Sequence, residues 1–263
     1  MATQNQLRTP ILIGNDIAEK RQQIAEYFNQ TFEQYESLFE TLVNEQSFYQ
    51  KSIPLRHPLI FYYGHTATFF INKLLLAGLV QERVNPKFES MFAIGVDEMS
   101  WDDLDDSNYE WPAVSEVKAY RQQIKELINN LIANAPLTLP IDWDNSWWTI
   151  MMGIEHEQIH IETSSVLIRQ QSLDLVQTNS AWQPWNETTS APENELVTVP
   201  TAKVYLGKSD DDVYGWDNEY GSHQADIKQF QASKFLVSNQ EFLDFVEAGG
   251  YQHEHYWHEE GLQ

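Results

Sequence analysis

The sequence predicts an α+β protein: a four-helix bundle over residues 1–175, then a smaller region of short strands and turns over 176–263. Three observations predict it. Apolar residues recur at helical spacing in four long stretches before residue 175. The texture then changes near Val176 to short strand-like pieces between turns, and helices followed by strands is the α+β pattern. Apolar residues make up 42% of the chain and aromatic ones 13%, enough to bury a sizeable core.

Asn15-Asp16 can cap a first helix, in which Ile17, Ile24, Phe28, Tyr35, Phe39 and Leu42 keep helical spacing to about Phe48. A second opens at Pro58, a residue suited to a first helical turn, and runs through LIFYYGHTATFFINKLLLAGL to Gly78. The stretch VDEMSWDDLDDSNYEWP, rich in acid and tryptophan, reads as a loop. A third helix starts near Ser115, with Val117, Tyr120, Ile124, Leu127 and Leu131 in one stripe. The fourth follows Asp144 and carries WWTIMMGIEHEQIHIETSSVLIRQ. QTNSAWQPWNETTSAPENE has no period and reads as a linker or crossing loop. VTVP and KVYLG read as strands, DDDVYGWDNEYG as turns. Ser238 and Glu241 form a capping box for one short helix that ends before Gly249-Gly250. There is no internal repeat and no low-complexity tract.

Charge and residue usage narrow the function. The net charge is −23 and the sixteen Lys and Arg are scattered, so neither nucleic acid nor an anionic membrane is expected as a partner. The absence of cysteine removes disulfides, thiolate ligands and cysteine nucleophiles, leaving His, Asp and Glu as metal ligands. The opening MATQNQLRTPIL lacks the build of a signal peptide and no apolar run reaches membrane length, so a cytoplasmic protein is expected.

His156-Glu157-Gln158-Ile159-His160 sets two imidazoles one turn apart on one helix face, where both can reach a single ion. Met152 and Thr163 continue that face, which predicts that it points into the bundle. A third ligand is needed, and His65 is the candidate: it lies mid-helix between Phe61 and Phe69, where a buried imidazole needs a partner. A hydrogen-bonded core histidine is the competing explanation for each residue alone; the pair together with a further histidine favours a metal. The same five residues spell H-E-x-x-H, the zinc-peptidase signature with Glu157 as general base. Its metzincin extension is absent, since Thr163 and Val166 stand where Gly and His are required. A distant third ligand such as Glu187 stays open for a zinc hydrolase. Glu155, Glu157 and Glu162 are expected in solvated or supporting roles, the latter because it falls about 200° round the helix from His160. Asp210 to Asp212 is expected to be a solvated turn rather than a calcium site. His253, His255 and His258 are given no function.

GHTATFFINKLLLAGL, FAIGVDEMSWDDL and GIEHEQIHIETSSVLIRQ together resemble the amino-terminal part of the 5-histidylcysteine sulfoxide synthase family of ovothiol biosynthesis. These are non-haem iron enzymes related to the sulfoxide synthase of the ergothioneine pathway. The likeness extends along nearly the whole chain. The first part is similar to the family's DinB-like bundle. YGWDNEYG, VSNQEFLDFVEAGGY and YWHEEG are similar to the opening of its formylglycine-generating-enzyme-like domain, with a C-type-lectin-like core. The resemblance implies that His65, His156 and His160 hold Fe(2+). It implies that cysteine, histidine and O2 are the substrates, joined by a C–S bond at the imidazole with oxidation of the sulfur to a sulfoxide. It also implies that the active-site tyrosine and much of the substrate pocket lie beyond Gln263, so a non-catalytic metal-binding fragment is a further expectation beside the enzyme and the zinc hydrolase.

Overall fold

The computed structural model describes residues 8–93, 109–183, 189–209 and 212–262. The chain separates into two compact units, Met1–Gln183 with Asp211–Tyr214, and Pro184–Asp210 with Gly215–Gln263. The sequence puts the division at 175/176. In the structure the next few residues stay with the bundle because their backbone is paired there. Val43 N–H donates to the Leu175 carbonyl at 3.1 Å and Gln177 N–H to that of Thr41 at 2.7 Å.

The first unit is built on four long helices, α1 (Ile17–Phe39), α3 (Leu59–Leu76), α5 (Val114–Asn134) and α6 (Trp147–Arg169), with short α2 (Gln46–Tyr49) and α4 (Pro86–Met91) between them. Each long helix packs on two others: α6 lies against α1 and α3, and α5 against the same two. Asp16 caps α1 by accepting from Glu19 N–H at 3.0 Å. Pro58 stands at the head of α3, and Gly78, at φ +70, takes the left-handed turn after it.

The structure departs from the expected elements in three ways. The first helix ends at Phe39 rather than near Phe48, since residues 41–43 pair with the segment leaving α6 and cannot continue a helical ladder. Helix α4 was not expected, although Asn85 caps it by accepting from Phe88 N–H at 3.2 Å and Pro86 sits in its first turn. The core stripe of α5 runs Val117, Tyr120, Arg121, Ile124, Ile128 and Ile132, while Leu127 and Leu131 are half-buried.

Inside the bundle Phe28, Phe32, Tyr35, Phe61 and Phe70 are essentially fully buried. Close approach of α3 and α6 depends on Gly153, where a Cβ would lie 2.1 Å from the Phe70 ring. No helix among the described residues is long and apolar enough to cross a membrane.

The second unit holds two antiparallel ribbons. β1 (Leu196–Val199) pairs with β4 (Phe230–Ser233), and β2 (Ala202–Leu206) with β3 (His223–Ile227). β3 and β4 were not expected, although FQAS alternates apolar and polar residues and HQADI does so over Ala225-Asp226-Ile227; both runs are short and mostly exposed. α7 (Asn239–Glu247) is capped as expected, Ser238 Oγ accepting from Glu241 N–H at 3.2 Å.

Candidate metal centre

The helical phase of α3 and α6 brings His65, His156 and His160 together. Nε2 of His156 lies 3.3 Å from Nε2 of His65 and 3.2 Å from Nε2 of His160. All three are buried, at 3%, 7% and 7% exposure. The Phe69 ring stacks on His156 at 3.6 Å and 9°, and the Phe61 ring on His65 at 5.3 Å and 17°. Among the described residues this is the one group of histidines and carboxylates able to converge on an ion.

Outer-nitrogen contacts orient two of the rings, those of His65 and His160. The Phe92 carbonyl lies 2.6 Å from Nδ1 of His65. A carbonyl only accepts, so Nδ1 carries the proton and the Nε2 lone pair faces the other two rings. Nδ1 of His160 lies 3.4 Å from the Thr163 hydroxyl. Nδ1 of His156 is buried with no hydrogen-bond partner among the described residues. Burial, then the neighbouring His160 and His65, holds the His156 imidazole well below its ordinary value. Burial, aided by His65, pushes His160 down to about 3. Neutral rings that turn nitrogen lone pairs on one another repel unless a cation or a proton sits between them.

These residues fit a first-row metal ion. Imidazole–metal bonds of about 2.1 Å put neighbouring nitrogens about 3.0 Å apart at right angles and about 3.4 Å apart in a tetrahedron. The observed separations of 3.2 and 3.3 Å fall between the two. Three neutral imidazoles suit zinc, copper, iron or nickel. The carbonyl held by His65 is a partner that metal-bound histidines commonly have.

Of the two roles expected for Glu157, solvated or supporting, the structure excludes the solvated one. Glu157 is fully buried, and its Oε1 accepts from Arg121 Nη2 at 3.0 Å and from the Thr66 hydroxyl at 3.1 Å. Burial raises its carboxyl, and Arg121 only partly offsets this, so the net displacement is upward. A peptidase base must reach a metal-bound water; an oxygen tied to a buried guanidinium is poorly placed for it.

The expectation that Met152 and Thr163 mark the inward face is corrected by the same packing. Met152 is half-buried and Thr163 exposed, whereas Gly153, Glu157 and Ser164 line the bundle's centre. The histidine pair therefore lies to one side of that centre, toward α3. Glu155 accepts from the Tyr27 hydroxyl at 2.9 Å and the Thr9 hydroxyl at 3.1 Å, and Glu162 is exposed. His253, His255 and His258 are exposed. Glu187, Asp210 and Asp211, and most of the acid- and tryptophan-rich stretch, lie outside the described residues. Arg121 was missed altogether. Its signal was its place in the stripe Val117-Arg121-Ile124-Ile128, a core register in which a charge must be paired.

Comparison with known proteins agrees with this division. Residues 27–164, more than half of the chain, match the DinB superfamily, and residues 183–263 match the sulfatase-modifying factor enzyme 1-like domain. Ergothioneine biosynthesis protein 1 of Neurospora crassa is 25% identical over 244 residues, covering 82% of this chain and 27% of that protein. Its namesake in Schizosaccharomyces pombe is 27% identical over 243 residues, covering 78% and 30%. The chain thus spans less than a third of the length of these curated relatives.

Proposed function

The chain belongs to the DinB superfamily, with a sulfatase-modifying factor enzyme 1-like region after the bundle, and from that membership we propose that it is the metal-holding part of an iron(II)-dependent sulfoxide synthase. In this reading His65, His156 and His160 hold one ferrous ion, and the reaction joins cysteine to the imidazole of histidine using O2, as in ovothiol biosynthesis. The proposed setting is cytoplasmic, with small-molecule substrates and neither nucleic acid nor membrane as partner, in keeping with a net charge of −23. The observation that supports it is the clustering of His65, His156 and His160, with ligand nitrogens within 4.8 Å of one another and Nε2 of His156 close to Nε2 of both others, in a bundle of this family.

When bound, iron held by His65, His156 and His160 would supply a template and the activation of thiol and oxygen. The chain's own residues supply orientation. His65 is locked in one tautomer by the Phe92 carbonyl. Phe69 and Phe61 pack on the rings of His156 and His65 and exclude water from them. Neutral, buried imidazoles reach the ion without first releasing protons.

Anaerobic reconstitution with Fe(II) tests the assignment. Wild type is expected to hold one iron, and His65→Ala, His156→Ala and His160→Ala each to lose it. Iron retained without His65, or a site that accepts only zinc, would overturn the proposal. The names of the two relatives favour a second reading of the acceptor, the one used in ergothioneine biosynthesis. Oxygen uptake with cysteine and either histidine or a methylated histidine, followed by product mass, separates the two.

A further inference from the structure

Arginine is almost never fully buried unless paired, and Arg121 of α5 is fully buried. It reaches all three of the other long helices. Nε donates to Glu36 of α1. Nη1 donates to the Tyr63 carbonyl at 2.8 Å and the Thr66 hydroxyl at 2.7 Å, both on α3. Nη2 donates to Glu157 of α6 at 3.0 Å. The guanidinium carbon also lies 4.5 Å from the centre of the Phe32 ring, with Tyr35 and Tyr63 at 5.0 and 4.9 Å.

The partners are the chain neighbours of the ligands. Thr66 follows His65 and Glu157 follows His156, and these two neighbours meet each other at 3.1 Å. One residue on, a helix turns by about 100°. The Thr66–Glu157 contact therefore belongs to the same level of the α3–α6 interface as the meeting of His65 and His156 at 3.3 Å. A guanidinium that grips both neighbours sets the height and rotation of one ligand-bearing helix against the other.

Stability alone gives little reason for this arrangement. Replacing a buried ion triad by apolar residues of similar volume is often neutral or stabilising. Here two carboxylates share one guanidinium, and Oε2 of Glu157 is buried without a hydrogen-bond partner among the described residues. What such a fork does supply is directional specificity, because its five donors point in fixed directions. We infer that Arg121 is a positioning residue that, through Glu157 and Thr66, holds His65 and His156 in the register at which they meet one ion. This inference rests on the metal-binding reading of the three histidines.

The test uses the full 263-residue chain and Co(II), whose visible absorption reports ligand geometry as well as affinity. A triple variant, Glu36→Leu with Arg121→Met and Glu157→Leu, removes the triad without stranding a charge. It is expected to unfold at a temperature close to wild type, yet to bind Co(II) about 10- to 100-fold more weakly with altered bands, the usual cost of losing a group that orients a ligand. Arg121→Lys keeps the charge but not the fork, and is expected to fall between the two in affinity and spectrum. A folded triple variant with wild-type affinity and spectrum would overturn the inference. Should the triple variant not fold, Arg121→Lys decides alone: wild-type binding overturns the inference, and weaker binding with shifted bands supports it. Wild type that binds no Co(II) would defeat the metal reading itself, and the positioning role would fall with it.

Discussion

Adding one methyl group at Gly153 should damage the histidine cluster from a full helical turn away. The Cβ of an alanine there would lie 2.1, 2.2 and 2.8 Å from three carbons of the Phe70 ring. Carbon atoms in good contact stay about 3.5 Å apart or more, so the shortfall is about 1.4 Å. Phe70 has little room to give, being 1% exposed and held edge-on against Phe28 at 5.7 Å. The strain passes to the separation of α3 and α6. If the helices absorbed all of it, the His65–His156 gap would grow from 3.3 Å to about 4.7 Å. Two bonds of about 2.1 Å span at most about 4.2 Å end to end, so one ion could no longer hold both rings. Overpacking of this kind costs about 1–3 kcal/mol, and the gain in helix propensity returns about 1 kcal/mol. For a unit of this size the net loss, up to about 2 kcal/mol, lowers the melting temperature by up to about 8 °C. Thermal unfolding and Co(II) titration of Gly153→Ala measure both effects, and Phe70→Leu in the same background should restore part of each. A Gly153→Ala protein that melts higher than wild type and binds Co(II) equally well would refute the reasoning.

Three other outcomes are expected. Ile128→Ala should cost about 2–5 kcal/mol, as for a fully buried aliphatic residue, and half-buried Leu127→Ala less than half of that, which denaturant titration of both will show. Burial works to raise the Glu36 carboxyl, but Arg121 and the Tyr63 hydroxyl outweigh it, and the net shift is downward. Its stabilisation is therefore complete above the unfolded value of about 4.3 and is lost as pH falls through the lower folded value. Glu36→Gln should be less stable than wild type at pH 6 and approach it toward pH 3, and a pH-independent difference would contradict this. Ser238→Ala removes the cap of α7 and should speed amide exchange in its first turn, with a loss of about 1 kcal/mol in local stability.

The elements that the sequence announces most clearly are those closed by local chemistry. Asp16, Pro58 and Ser238 each mark a helix start through their own backbone or side chain, and the structure agrees at all three. Convergence of His65 with His156 and His160 was legible for a similar reason: the i, i+4 spacing is local, and an imidazole amid apolar residues asks for a partner. What was not legible depends on distant contacts. The end of α1 at Phe39 is dictated by pairing of residues 41–43 with 175–177, more than a hundred residues away. The role of Glu157 is dictated by Arg121, whose place in the buried stripe of α5 periodicity marks but whose partners on three other helices it does not. Asn85-Pro86 is a different case, since the cap and the proline that open α4 are local signals present in the sequence.

The buried guanidinium also constrains how the bundle can form. Its partners on α1, α3 and α6 are 85, 55 and 36 residues distant along the chain. Each must be brought in at the cost of a closed loop before its contact rewards the chain. A collapsed form missing any one of these helices would enclose a cation with donors unanswered, at a penalty of several kcal/mol. Partly assembled bundles are thereby raised in energy relative to both the open chain and the finished fold. The centre of the domain acts as a checkpoint on assembly, admitting the four helices together or not at all.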